Sequence, residues 1–150
     1  MNRFCVPYAY AKILGVSPDE IADIIKEGRV QRADAGARIR PRLVKGQVRG
    51  VYGWEQERIK EVLGIKVFAK VSRPGMTIGR WAKIRQMHGD TMAWIVRVSG
   101  HALVYKDGKF YDNGTPAGAS IDMFPHSKRR LKTAEQVDLW DDRNPYEVAR

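Results

Sequence analysis

The spacing of apolar residues changes along the chain, from a helical period in the first half to alternation in the second. In VPYAYAKILG, Val6, Tyr10, Ile13 and Leu14 recur at helical spacing. Pro7 suits an early position where its missing N–H is not needed, and Gly15 supplies a stop. A first helix is predicted there, with Cys5 at or just before its N-terminus. SPDEIADIIKEG predicts a second helix, with Ser17 as N-cap, Pro18 as first helical residue and Glu20 placed as in a capping box. WEQERIKEVLG predicts a third, with Trp54, Ile59, Val62 and Leu63 as its apolar stripe, and IKVFAKVS alternates as a strand. PGMTIGRWAKIRQMHG predicts a fourth helix starting near Thr77. TMAWIVRVSG and HALVYKDG read as two apolar strands joined by a turn at Ser99-Gly100. KFYDNG follows Asp107-Gly108, a dipeptide that favours a tight hairpin. The remainder reads as loop with a short strand near VDLW. Residues 28–53 have no clean period; Gly, Pro and Arg dominate, which predicts a long basic loop with short extended pieces. Loops of that length inside a compact domain are uncommon and often functional. Helices first and antiparallel strands later argue for an α+β fold, and 150 residues favour a single domain over 1–150.

Composition adds exclusions. Apolar residues make up 43 % and charged residues 29 %, both ordinary for a globular protein. No apolar run approaches the roughly 20 residues of a membrane helix, and MNRFCVPYAY lacks the long apolar segment of a signal peptide. One cysteine excludes an internal disulfide framework. These features together predict a reducing, cytoplasmic setting and no membrane partner.

Charge changes the picture more. The net charge is +10, and eight Lys or Arg against two acids lie between Lys26 and Arg49. Lys128, Arg129, Arg130 and Lys132 form a second cluster, whereas the last stretch is acidic. A basic face is permissive for nucleic acid or an acidic protein, with Arg38, Arg40 and Arg42 as the candidate binding residues; a solvated loop would have the same composition.

Cys5 and His101 carry the candidate chemistry. A thiol is nucleophilic as thiolate, and a free cysteine, with a pKa of about 8.5, is mostly protonated at neutral pH. A helix N-terminus and a proton-accepting imidazole both favour the thiolate. Cys5 has the first by position, and His101, opening a strand behind Gly100, supplies the second. A base of this kind needs an orienting partner on its other nitrogen. The turn at Asp107-Gly108 returns the chain toward His101, so Asp112 or Asn113 fills that role; Asp favours the imidazolium more strongly, whereas Asn only orients it.

The order of these residues resembles the papain-like cysteine peptidases. GHALVYKDGKFYDN is similar to the His-to-Asp hairpin of small bacterial and phage members, CVPYAYAKILG to their nucleophile helix, and GWEQERIKEVLGIKVF to the helix and strand between them. The resemblance implies a papain-like fold, N-terminal helices packed on a C-terminal antiparallel sheet. It further implies Cys5 as nucleophile, His101 as general base and Asp112 (or Asn113) as orienter. The implied reaction is hydrolysis of a peptide, isopeptide or amide bond through an acyl-enzyme, with a protein or peptide substrate and without metal or cofactor. Family members usually carry an oxyanion-hole Gln upstream of the Cys. Only four residues precede Cys5 here, so Asn2 and the backbone N–H of Cys5 are the candidate donors. The alternative is a catalytically weak relative, phage-encoded and working in a host cytoplasm, that binds a host protein or nucleic acid through its basic surface.

Each residue also has a plainer explanation. A lone Cys is by default a small buried hydrophobe, and Asp112-Asn113-Gly114 suits an ordinary turn. His88 falls at a helix end, where a His often caps carbonyls, and His126 reads as a surface residue beside the basic cluster. One Cys and three scattered His give no metal-ligand spacing. Trp54, Trp81, Trp94 and Trp140 are assigned to the core, and Tyr8 and Tyr10 to either the core or a substrate groove. GVYGW and GTPAG lack the strand and helix context of a phosphate loop.

Overall fold

A computed structural model describes residues 5–34, 43–44, 47–48, 53–72 and 75–138. Four helices lie among them: α1 (Cys5–Leu14), α2 (Pro18–Asp34), α3 (Gly53–Leu63) and α4 (Ile78–Met87). A small hairpin pairs β1 (Leu43–Val44) with β2 (Gln47–Val48). The main sheet has six strands: β3 (Val67–Val71), β4 (Ala93–Val98), β5 (His101–Lys106), β6 (Lys109–Asp112), β7 (Thr115–Ser120) and β8 (Thr133–Val137). Their order is β3-β8-β4-β5-β6-β7, and every pairing is antiparallel. The fold is therefore α+β, helices with an antiparallel sheet whose first strand, β3, falls between α3 and α4 in the chain.

Alternation along β4 and β5 splits the apolar residues between two faces. On one face, Ala93, Ile95, Ala102 and Val104 pack with Tyr10 and Ile13 of α1, Ile21 and Ile25 of α2 and Ile59 of α3. On the other, Trp94, Val96, Val98, Leu103, Tyr105 and Phe110 pack with Ile78, Trp81 and Ala82 of α4 and with Ile121, Phe124 and Leu131. Trp81 meets both Trp94 and Tyr105 edge-on, with centroids 5.3 Å apart, the arrangement aromatic quadrupoles favour. The first face also holds charge. Arg97 pairs with Glu135 and donates to Gln56 Oε1 at 2.6 Å and to Tyr10 at 3.3 Å. Lys60 donates to Glu135 at 2.8 Å and to Glu57 at 2.7 Å. Burying such ions costs several kcal/mol each unless they are matched, and here each carboxylate oxygen of Glu135 meets a cation. Arg29 and Glu55, both buried, tie α2 to α3 through bonds of 2.7 and 3.0 Å.

Four expectations are corrected. The second helix does not end at Gly28 but runs to Asp34. A Cβ at Gly28 would lie 2.8 Å from the Arg58 side chain, so this glycine allows α2 and α3 to approach rather than stopping α2. Residues 28–53 are accordingly not one loop: α2 takes the first part, β1 and β2 form a hairpin, and Gly53 opens α3. GTPAG, read as loop, begins β7, and Pro116 is tolerated because β7 is an edge strand. The late strand lies at Thr133–Val137, upstream of its predicted place; Trp140 is outside the described residues. The start of α4 is as predicted, with the Thr77 hydroxyl accepting from the Arg80 N–H at 3.2 Å.

Glu135→Leu should lower unfolding free energy by about 3 kcal/mol or more, because the cations it neutralises would remain partly buried. Urea denaturation of the variant beside the parent chain measures this; an unchanged midpoint would show the network to be energetically idle.

Candidate functional site

The β5–β6 hairpin turns on Asp107 (φ 50°) and Gly108 (φ 83°), two consecutive residues of positive φ, as the tight two-residue turn requires. The Gly108 N–H donates to the Tyr105 hydroxyl at 3.1 Å, fixing the turn from inside. The turn sets the register: Lys106↔Lys109, Tyr105↔Phe110, Val104↔Tyr111. Tyr105 and Phe110 therefore share a face, and so do Leu103 with Asp112 and, two residues back, His101. Asp112 is the diagonal neighbour of His101, and the two bond at 2.8 Å between Nε2 and Oδ2. Both are buried, with side chains 3 % and 2 % exposed. The other Asp112 oxygen accepts from the Gly114 N–H at 3.0 Å. The carboxylate is thus held at both ends.

Cys5 is the first residue of α1 and is half-buried. Helix α1 packs against β5 and β6, which brings the Cys5 sulfur within hydrogen-bonding reach of the His101 ring. With Nε2 engaged by Asp112, Nδ1 is the nitrogen left for the thiol. Burial disfavours charge on the ring, but the bonds to Asp112 and Cys5 outweigh it and push the His101 pKa up to about 9. Burial likewise works against the Asp112 carboxylate. Its bond to His101, the charge on that ring and a bond from Thr115 nevertheless hold it below the usual carboxylate range. At neutral pH the site therefore contains an imidazolium between a carboxylate and a sulfur. The helix N-terminus adds its partial positive charge and N–H groups with no intrahelical acceptor.

The sequence reading missed His126. It is not a plain surface residue but half-buried, with its ring centroid 5.4 Å from that of His101 and 5.5 Å from that of Phe124. Burial, then the positive charge of His101, lowers its pKa, with Asp112 opposing. Phe124 stacks on Phe110 at 4.9 Å, so the segment carrying His126 is anchored to the same hairpin as Asp112. The signal in the sequence was Ile121, Phe124 and Leu131, apolar residues spaced through a stretch rich in polar ones, all of which are buried.

The remaining candidates divide plainly. Asn113 follows β6 in the turn, and it is Asp112 that bonds the ring. Asn2, Arg38, Arg40 and Arg42 lie outside the described residues. His88 is the exposed C-cap of α4, bonded through its backbone N–H to Ile84 O at 3.1 Å. Tyr10 is fully buried and serves the core, whereas Tyr8 is half-buried. Trp81 and Trp94 are core residues, and Trp54 is half-buried. Among the described residues no helix is long and apolar enough to cross a membrane. His101, Asp112 and His126, scattered in the chain, present donor atoms within 4.8 Å of one another, a proximity their spacing in sequence did not show. Comparison with protein-family models, with curated proteins and with solved structures finds no match.

The His101 shift fixes a pH dependence. Its folded pKa of about 9 exceeds the ordinary 6.5. Its contribution to stability is therefore complete below pH 6.5 and is lost as pH rises through about 9. The lowered Asp112 pKa removes the pair again as the medium becomes acidic. The stability difference between the parent chain and His101→Gln, from denaturation at a series of pH values, should be largest near pH 5–6 and shrink toward pH 9. A difference independent of pH would contradict the charged pair.

Proposed function

We propose that the protein is a cysteine hydrolase of the papain-like type, cleaving a peptide, isopeptide or amide bond. The observation that supports it is the ordered series Cys5, His101, Asp112. A sulfur at a helix N-terminus lies against a ring that is bonded on its far side to a buried carboxylate. In this reading the Cys5 sulfur attacks the carbonyl carbon of the substrate. The carbonyl π electrons move to oxygen, and the backbone N–H of Cys5 with the first turn of α1 faces the developing oxyanion. His101 gives its Nδ1 proton to the leaving nitrogen as the C–N bond breaks, leaving a thioester on Cys5. Water then attacks the thioester; His101 takes its proton, and the sulfur departs with the pair of the C–S bond. Asp112 keeps the ring in the tautomer with the proton on Nε2 and stabilises the imidazolium without itself taking a proton. In this reading the substrate is a protein or peptide.

Iodoacetamide at pH 6 tests the proposal directly. A simple thiol is less than about 1 % thiolate at that pH, so Cys5 should react at least about tenfold faster than such a thiol. His101→Ala should remove that advantage, and Asp112→Asn should reduce it. Mass spectrometry of the Cys5 peptide reads the rate, and alkylation of the parent chain at the rate of a simple thiol overturns the proposal.

A further inference from the structure

Ligand atoms of His101, Asp112 and His126 all lie within 4.8 Å of one another, two imidazole nitrogens and one carboxylate oxygen. We propose that these three side chains form a binding site for one transition-metal ion of the Zn2+ class, which enters in place of the His101–Asp112 hydrogen bond. The donor set decides the class: two imidazoles with one carboxylate suit Zn2+ and its neighbours, whereas Ca2+ and Mg2+ take oxygen ligands. A tetrahedral ion with bonds of about 2.0–2.1 Å holds its donors roughly 3.4 Å apart. The 2.8 Å contact between His101 and Asp112 must open slightly for this, and the wider separations must close by small side-chain rotations.

Both flanks of the site are built. Asp112 is fixed through its second oxygen by the Gly114 N–H. His126 is placed by a segment clamped to α4. The Gly79 N–H donates to Ser127 O at 2.8 Å, the Ile78 N–H donates to Arg129 O at 2.9 Å, and the Ser127 hydroxyl donates to Ile121 O. Gly79 favours this close approach, because a Cβ there would lie 3.0 Å from Ser127 O. Three protein ligands leave a fourth position for water, the arrangement of an exchangeable rather than a closed structural zinc.

Coordination uses the lone pair of His101 Nε2, so the proton shared with Asp112 passes to solvent. The ring then no longer serves the thiol as before, and Asp112 no longer orients it. The ion would act as a reversible block on the proposed hydrolase; that consequence alone rests on the functional reading, and the site itself does not.

Titration of Co2+, followed by visible absorption, and of Zn2+, followed by calorimetry, into the full chain tests the site. The parent chain should take up one ion. Cys5→Ala should do the same, without a sulfur-to-metal band in either. His126→Gln should bind more weakly by at least about tenfold, since even outer partners of a metal are worth about 10–100-fold. No uptake by the parent chain, loss of uptake in Cys5→Ala, or unchanged affinity in His126→Gln each overturns the proposal. Should His126→Gln not fold, carbethoxylation of the parent chain replaces it. Zn2+ should protect His101 and His126 but not the exposed His88, and protection of neither overturns the site. Alkylation in the presence of chelator reads the thiol chemistry separately, so the two proposals fail independently.

Discussion

The two-residue turn at Asp107 and Gly108 is the constraint on which the site depends. A strand shifted by one position presents its other face, so a slip at this turn would send Asp112 toward the helical layer and away from His101. Positive φ at both turn residues, with the Tyr105 hydroxyl accepting from Gly108, prevents that slip. The same register places Phe110 beside Tyr105, Phe124 on Phe110 and His126 beside His101. One local choice of backbone conformation thus aligns the ring, its carboxylate partner and a second ring.

The two sheet faces divide the labour. The face under α1, α2 and α3 carries the charged network of Arg97, Glu135 and Lys60, which locks the helical layer onto β4 and β8. The face under α4 is aromatic and carries His101 and Asp112 at its margin. Cys5 reaches that margin because it starts α1, whose body packs on β5 and β6. At β7, close approach adds to the strand pairing with β6. Gly118 (φ 86°) accepts the Tyr111 ring where a Cβ would fall 2.5 Å from it, and Tyr111 in turn lies under the Lys12 ammonium at 4.7 Å.

Much of this was legible because it is local. The Gly15 stop of α1, the start of α4 near Thr77, the Ser99-Gly100 and Asp107-Gly108 turns and the two apolar strands follow from residue type and spacing. The turn alone brought Asp112 or Asn113 toward His101, and the three-dimensional contact selects Asp112. What was not legible depends on contacts distant in sequence. Gly28 looks like a terminator until Arg58 is seen against it. Lys60 and Glu135 look like solvated charges until β8 is placed between β3 and β4. His126 has polar neighbours in sequence and aromatic ones in space. Composition marked residues 28–53 as a loop because Gly and Arg dominate there, yet an ion pair with Glu55 holds Arg29 within a helix.

The interleaving of β8 between β3 and β4 bears on the order of assembly. Strands β4 to β7 are successive hairpins and can pair as they emerge, whereas β3 must wait for a strand made near the end of the described chain. The ring and its carboxylate close over eleven residues within the early part. The sulfur, synthesised first, gains its neighbour only after the second half has been translated and the first helix has docked. During synthesis the nascent polypeptide therefore exposes an ordinary thiol, and whatever reactivity the finished molecule has is withheld until the tertiary structure is complete.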